Sequence, residues 1–486
     1  MSKFNETNTI KVSNKSGCIA YSMKDKEKLM TQVLSTFFNE PKNYGDNSNE
    51  IVETAKKVCV NDVRFVANLA IYARKEFNLR SISHVLVCLL SRINEGKKYV
   101  KEVMWHVVER PDDLTEILAY YLAMYGKPIP NSLKKGLAKN LTKFNEFQIS
   151  KYNGGNKEVK FKDILLLTHA KPKDEKQSEL FNKILNDNLA TAIRWETEVS
   201  TKGNNKETWE SLIENNQLGY MAMLRNLRNI IEANPKNINK VYEKLANKDE
   251  VLKSKQLPFR FYSAYKEISK LNNITNKPLN VLEKAIEYSI ENMEKIPGKT
   301  AICIDYSGSM DMPISKKSKI KCNEIASILG IILNRICDES IIYLFDTKAY
   351  KVLLSKNDGI LSSTKALCGD GGRTDISAPI KEMIKNNVEV DRIVVLSDNE
   401  ANRQFRSSSL GFNYYTAESV ADEYRKKLNK NVWIHTIDMQ GYGTQQFCGP
   451  HTNLIAGWSE KVLDFILLVE NGMDSLIKTI NDYLIK

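Results

Sequence analysis

The sequence predicts a two-part chain: an N-terminal α-solenoid of stacked helix pairs, then a doubly wound α/β domain from about residue 299. Three observations predict it. Apolar residues recur with a period near 3.6 over residues 25–298, short β-branched and aromatic runs alternate with helical segments after residue 299, and all the excess positive charge lies in the first part.

The first 24 residues are polar, with a short apolar alternation from Thr9 to Val12 that predicts a strand packing on the C-terminal domain. From residue 25 onward the helical period is clear in Lys26–Phe38, Asp62–Glu76, Ser81–Arg92 and Val100–Val108. Connections are short and polar, and no strand pattern interrupts the region up to about residue 295. Helices of this size must bury one face against a neighbour, which gives a stacked, HEAT-like array without a fixed sequence period. After residue 299, AICI (301–304), SIIYLF (340–345), RIVVLS (392–397) and VWIHTI (432–437) read as buried parallel strands. The segments Lys321–Cys337 and Ser377–Asn386 between them read as helices packed on that sheet. The expected domains are therefore 1–24, 25–298 and 299–486.

The first of these strands ends in the most specific chemical motif of the chain, AICIDYSGSMD at 301–311. Asp305, Ser307 and Ser309 place one carboxylate and two hydroxyls around one point, a hard-oxygen set suited to Mg²⁺ or Mn²⁺. Thr374, after the glycine cluster of CGDGGRTDIS, and Asp398, at the end of RIVVLS, supply further oxygens at strand ends or adjacent loops, where open α/β sheets bind their ligands. The alternative is an ordinary Ser-Gly-Ser turn with two helix-capping aspartates.

Composition bounds the function. The chain has 486 residues, 42% of them hydrophobic, and a formal charge of +12, with 22 Lys+Arg against 23 Asp+Glu in residues 301–486 and 49 against 36 in residues 1–300. A basic helical part beside a near-neutral α/β part suggests a polyanionic partner, nucleic acid above all, although lysine-rich helices also serve solubility alone. The eight cysteines form no Cys-x-x-Cys pair, which predicts free buried thiols, and none of the five histidines pairs with cysteine at zinc spacing. No apolar stretch is long enough to span a bilayer, so a cytoplasmic protein without membrane partners is expected.

The oxygen set resembles the metal-ion-dependent adhesion site of von Willebrand factor A domains, with Asp305, Ser307, Ser309, Thr374 and Asp398 in the matching positions. In the helical part, FVANLAIYARKEFNLRSISHVLVCLL (65–90), DILLLTHAKP (163–172), TWESLIENNQLGYMAMLRNLRNI (208–230) and LPFRFYSAYKEI (257–268) resemble the TROVE module. TROVE followed directly by a von Willebrand A domain is similar to the Ro autoantigen family, in its bacterial or phage form. The resemblance implies helical repeats closed into a ring whose basic hole takes single-stranded 3′ ends of misfolded non-coding RNAs, with Y-like small RNAs on the outer surface. It implies RNA quality control as a monomeric scaffold rather than as an enzyme, with an exoribonuclease as a further partner. It also implies a divalent metal with an open position for an acidic protein ligand.

Between Lys127 and Lys176 the chain is dense in lysine, and Lys134, Lys135, Lys139, Lys143, Lys151 and Lys162, interleaved with Phe144, Phe147 and Tyr152, are candidate RNA contacts. His169 and Lys171 join them on the THAKP segment that resembles the Y RNA contact region of the Ro family. Arg80, Arg225, Arg228 and Arg260 fit either phosphate contacts or ion pairs between helices, with structure favoured for Arg225 and Arg260; Trp195 and Trp209 read as core anchors. The competing function is a metal-dependent protein-binding adaptor without RNA, which differs in showing little salt dependence. Hydrolysis through Asp311 or Asp346 is the least supported reading.

Overall fold

The computed structural model describes the chain apart from residues 1–9, 14–18, 23–24, 36–45, 154–156, 191–193, 273, 292, 314–319, 370, 400–404, 409–410, 415, 440–445, 457–460 and 486. It divides into two compact units, residues 1–22 with 194–470 and residues 23–193 with 471–486.

The unit built on residues 23–193 is helical. Asp25–Ser35, Asp46–Asn61, Val63–Lys75, Ser81–Arg92, Val100–Val107, Pro111–Tyr125 and Asn131–Leu141 follow one another and mostly pack on the next in the series, except that Val100–Val107 packs on Asn131–Leu141 rather than on Pro111–Tyr125. Val63–Lys75 starts where the Asp62 side chain accepts the Phe65 amide. Pro111 opens its helix at the first turn, where its missing amide is harmless, and Asp113 accepts the amides of Glu109 and Arg110 at 2.9 and 2.8 Å. The last helix of the chain, Met473–Asn481, belongs to this unit and packs on Val63–Lys75. Buried Asn68 fastens the segment, donating to the Asn481 and Ile485 carbonyls at 2.9 and 3.0 Å and accepting the Ile485 amide at 2.8 Å.

The other unit combines the helices from Trp195–Lys202 to Asn276–Ile290 with the strands. β1 (Ile10–Ser13) and β2 (Ile19–Ser22) form an antiparallel hairpin of their own. The strand expected near Thr9–Val12 thus exists, but it does not extend the main sheet. The remaining strands are β3 (Ile296–Asp305), β4 (Cys337–Phe345), β5 (Ala349–Val352), β6 (Arg392–Ser397), β7 (Phe405–Ser408), β8 (Gly411–Tyr414), β9 (Trp433–Asp438) and β10 (Thr452–Ala456). Six of them make one sheet, in the order β10-β9-β6-β3-β4-β5. All neighbours are parallel except β5, an antiparallel edge on β4.

Both faces of this sheet are covered, as buried β-branched strands require. One face packs Cys303, Tyr343, Ile393 and Val395 against Met383 and Tyr424. On the other lies the Cys322–Ile336 helix, whose Gly330 comes so near β3 that a Cβ there would stand 2.4 Å from Ile304 Cδ1. From central β3 the chain runs outward to β4 on one side and to β6 on the other. This is the topological switch point of an open α/β sheet, and the carboxyl end of β3 is Asp305.

Candidate metal centre and basic helical surface

Asp305 is fully buried at the end of β3. Its Oδ1 accepts the Ser307 amide at 2.8 Å and its Oδ2 accepts the Ser397 hydroxyl at 2.6 Å. Ser307 leads into a short 3-10 turn, Gly308–Asp311, which brings the Ser307 and Ser309 hydroxyls within 3.3 Å of each other. The glycine loop is bonded to this turn through Gly308 N–H to Gly372 O at 3.1 Å and Gly371 N–H to Tyr306 O at 2.9 Å. A Cβ on Gly371 would fall 2.7 Å from that Tyr306 oxygen, so only glycine permits the approach. Thr374 follows Gly371 by three residues and is buried, and Asp398 is buried one residue past β6, the strand beside β3.

All five expected residues therefore lie on the β3 and β6 ends and on the loop pinned to them. Burial pushes the Asp305 carboxyl up to about 7, and the charge of Asp398 adds to the effect. Two neighbouring carboxylates in a dry site and an all-oxygen donor set fit a hard divalent cation, which supplies the missing positive charge when bound. Sequence reasoning missed Ser397, which orients Asp305, and buried Asn399, whose amide donates to Ser397 Oγ at 3.1 Å from a left-handed backbone, φ 57°. Asp311 is paired with Lys321 at 2.6 Å, and Asp346 accepts the Lys348 and Gly372 amides, so both hold loops in place.

Lys134, Lys135 and Lys139 lie on the Asn131–Leu141 helix and Lys143 just beyond it. Lys139 and Lys143 converge on Trp105, their ammonium groups 4.5 and 4.2 Å from its ring centre. Lys151 stands over Tyr152 at 5.5 Å, and Arg110 approaches the same ring at 4.9 Å. Lys162 is engaged with Asp187 at 2.8 Å. His169 ends the Phe161–Thr168 helix in the left-handed conformation, φ 51°, and is exposed, as is Lys171. Among the described residues Lys134, Lys135 and Lys171 have no ion-pair partner. Arg225 is exposed and unpaired among the described residues, so the structural role expected of it is not seen; Arg260 lies over the Phe259 ring at 5.1 Å. Arg228 pairs with Glu232 and Glu267. Trp209 is a core anchor, donating to Asn204 at 2.6 Å, whereas Trp195 is only half-buried.

Arg80 has a third fate. Its guanidinium reaches Asp112 at 2.8 Å, Glu116 at 3.0 Å and Asp113, and buried His84 stands 3.3 Å from Asp113. His84, Asp113 and Glu116 offer donor atoms within 4.8 Å of one another. Arg80 already supplies the positive charge there, so the cluster reads as an ion-pair network tying Ser81–Arg92 to Pro111–Tyr125. Burial raises Glu116 to about 7, with Asp112 and Asp113 adding to it and Arg80 opposing. A carboxyl whose folded value lies above its unfolded one costs stability increasingly as pH rises from its ordinary value to the raised one. Glu116→Gln is therefore expected to gain stability relative to the native chain between pH 5 and 7.5. Urea midpoints at the two pH values that differ equally would contradict this.

A helical, lysine-rich part joined to an α/β domain with an oxygen-lined centre at its switch point defines the class. The TROVE domain family matches residues 16–192 and 185–324, and the Ro60 vWA domain matches residues 299–429. The chain belongs to the TROVE-domain family, with a Ro60-type von Willebrand A domain. It is 22% identical over 306 residues to telomerase protein component 1 of Mus musculus and 21% identical over 338 residues to that of Rattus norvegicus. These alignments take in 46% and 51% of this chain but only 12% and 13% of the relatives, so the chain spans a small fraction of their length. The crystal structure of the Deinococcus radiodurans RO (RSR) protein superposes with a TM-score of 0.67 at 13% identity, covering 94% of this chain and 99% of that one, which shows a shared fold.

Proposed function

We propose that this protein is an RNA-binding scaffold of the Ro type. The observation that carries the reading is the match of the TROVE family to the part of the chain that holds the positive excess. In this reading residues 25–298 form the RNA module, a ring whose basic hole takes single-stranded 3′ ends of misfolded RNAs, and residues 299–486 form the metal-site module. Lys134, Lys135, Lys139, Lys143, Lys151, Lys162, His169 and Lys171 contribute phosphate and base contacts, with Y-like small RNAs on the outer surface. Lys162 takes part by exchanging Asp187 for phosphate. The protein acts as a cytoplasmic monomer, and RNA degradation falls to an exoribonuclease partner. Asp305, Ser307, Ser309, Thr374 and Asp398 hold Mg²⁺ or Mn²⁺, leaving a position for a carboxylate of a protein ligand. Among the described residues no helix is long and apolar enough to cross a membrane.

The test is a salt-titrated gel shift with a structured RNA carrying or lacking a single-stranded 3′ tail. Tail-dependent binding should weaken roughly a hundredfold or more between 50 and 200 mM salt, because each neutralised phosphate releases a counterion. Salt-independent or absent binding would leave the adaptor reading in its place.

A further inference from the structure

Trp105 is a large indole near the end of the Val100–Val107 helix, and 39% of it is exposed. The Asn131–Leu141 helix packs closely beside it: a Cβ on Gly136 would lie 2.3 Å from Met104 Sδ, so the Met104 side chain would have to move to admit one. That approach sets the register of the two helices. One and two turns beyond Gly136, Lys139 and Lys143 come over the indole. Lys143 is anchored at this height, donating to the carbonyls of Trp105 and Val108, the latter at 3.0 Å. Lys139 has no carboxylate partner among the described residues. Glu109 is already shared by Arg74 at 2.9 Å and Lys75 at 2.7 Å. Burial, with Lys75 and Lys139 nearby, brings Lys143 down to about 8, while Glu109 and Asp113 pull the other way. The corner thus holds four cations, Arg74, Lys75, Lys139 and Lys143, against two carboxylates, Glu109 and Asp113, that are already engaged, Glu109 with Arg74 and Lys75 and Asp113 with Arg80, beside an accessible aromatic surface.

We infer that Trp105, Lys139 and Lys143 form a nucleotide platform for single-stranded RNA. One unstacked base lies on the indole, and the two ammonium groups take the adjoining phosphates. Lys139 turns from the ring to the phosphate as the base arrives, and Lys143 exchanges its bonds to the Trp105 and Val108 carbonyls for the adjoining phosphate. A cation over an exposed ring is weakly held, whereas an ammonium on a phosphate gains charge-assisted hydrogen bonds. Stacking favours no particular base, so the platform reads chain flexibility and charge rather than sequence. The inference rests on the RNA-binding reading and adds the place where one nucleotide docks.

The experiment measures anisotropy of a labelled short oligouridylate and of the matching abasic ribose-phosphate oligomer with the full chain. Trp105→Leu should weaken oligouridylate binding about tenfold and leave the abasic oligomer unchanged, while Trp105→Phe stays within about threefold of the native chain. Lys139→Gln should weaken both oligomers equally and lower the salt slope by about 1. Native binding of both oligomers by Trp105→Leu overturns the platform and leaves the RNA reading standing. Equal loss of both in that variant also overturns it, because the contact is then one of charge alone. If the native chain binds neither oligomer nor structured RNA, both readings fall. Capture of an oligoglutamate in place of RNA assigns the patch to an acidic protein and overturns the platform.

Discussion

Replacing Arg80 by methionine is expected to destabilise the helices it joins by about 3–5 kcal/mol, the range seen when one partner of a buried ion pair is removed. Three carboxylates depend on this guanidinium, and Asp113 is completely buried. Burial opposes the charge on Asp113, yet His84 at 3.3 Å and the charge of Arg80 hold its carboxyl well below the usual range. Without Arg80 the site must keep an uncompensated anion, take up protons or open. Burial keeps His84 below its ordinary value, so it is a poor substitute cation at neutral pH. Arg80→Lys should fall between the two, because a single ammonium cannot span three carboxylates as a planar fork does. Hydrogen exchange at the amides of Ser81–Arg92 reports this local stability directly in a chain with two compact units. A loss below about 1 kcal/mol would mean that Arg110, bonded twice to Asp112, carries the compensation instead.

Arg80 also shows where sequence reading stops. In FNLRS it fits an RNA contact and an ion pair equally, and its partners lie more than thirty positions onward in a Pro-Asp-Asp that reads as a helix start. Asp113 does serve that start, and its second task appears only when the two helices meet. The same limit hid Trp105, which gains meaning from lysines on a helix that a close glycine contact brings beside it. It also hid the association of Met473–Asn481 with Val63–Lys75, a return across about four hundred residues without a local signature. Conversely, β6 was legible end to end and β3 in its apolar second half, because their periodicity and β-branching are local, whereas the polar Pro-Gly-Lys start of β3 carries no strand signal. β5 escaped as the short, half-polar edge AYKV. The metal set was legible because Asp305, Ser307 and Ser309 share one turn and the other two end neighbouring segments. Ser397 was not, since a serine closing an apolar strand looks like any turn residue.

Asp305→Asn is expected to abolish divalent-metal binding while leaving RNA binding intact. The substitution keeps the shape that receives the Ser307 amide but removes the carboxylate around which Ser307, Ser309 and the Gly371–Gly372 loop are arranged. Calorimetric titration with Mn²⁺ or Mg²⁺ should show one site in the native chain and none in the variant. At a hundred times its dissociation constant, the cation should stabilise the native α/β domain by about 2.7 kcal/mol, and this increment should vanish with Asp305. Ser397→Ala should retain the site with weakened affinity, about 10–100-fold, because Ser397 orients the ligand from behind. Metal binding by Asp305→Asn at native affinity would remove the carboxylate end of β3 from the centre. Joint loss of metal and RNA in a folded Asp305→Asn would instead make the cation part of RNA recognition. In that case the division of labour between the basic helices and the α/β domain would have to be abandoned.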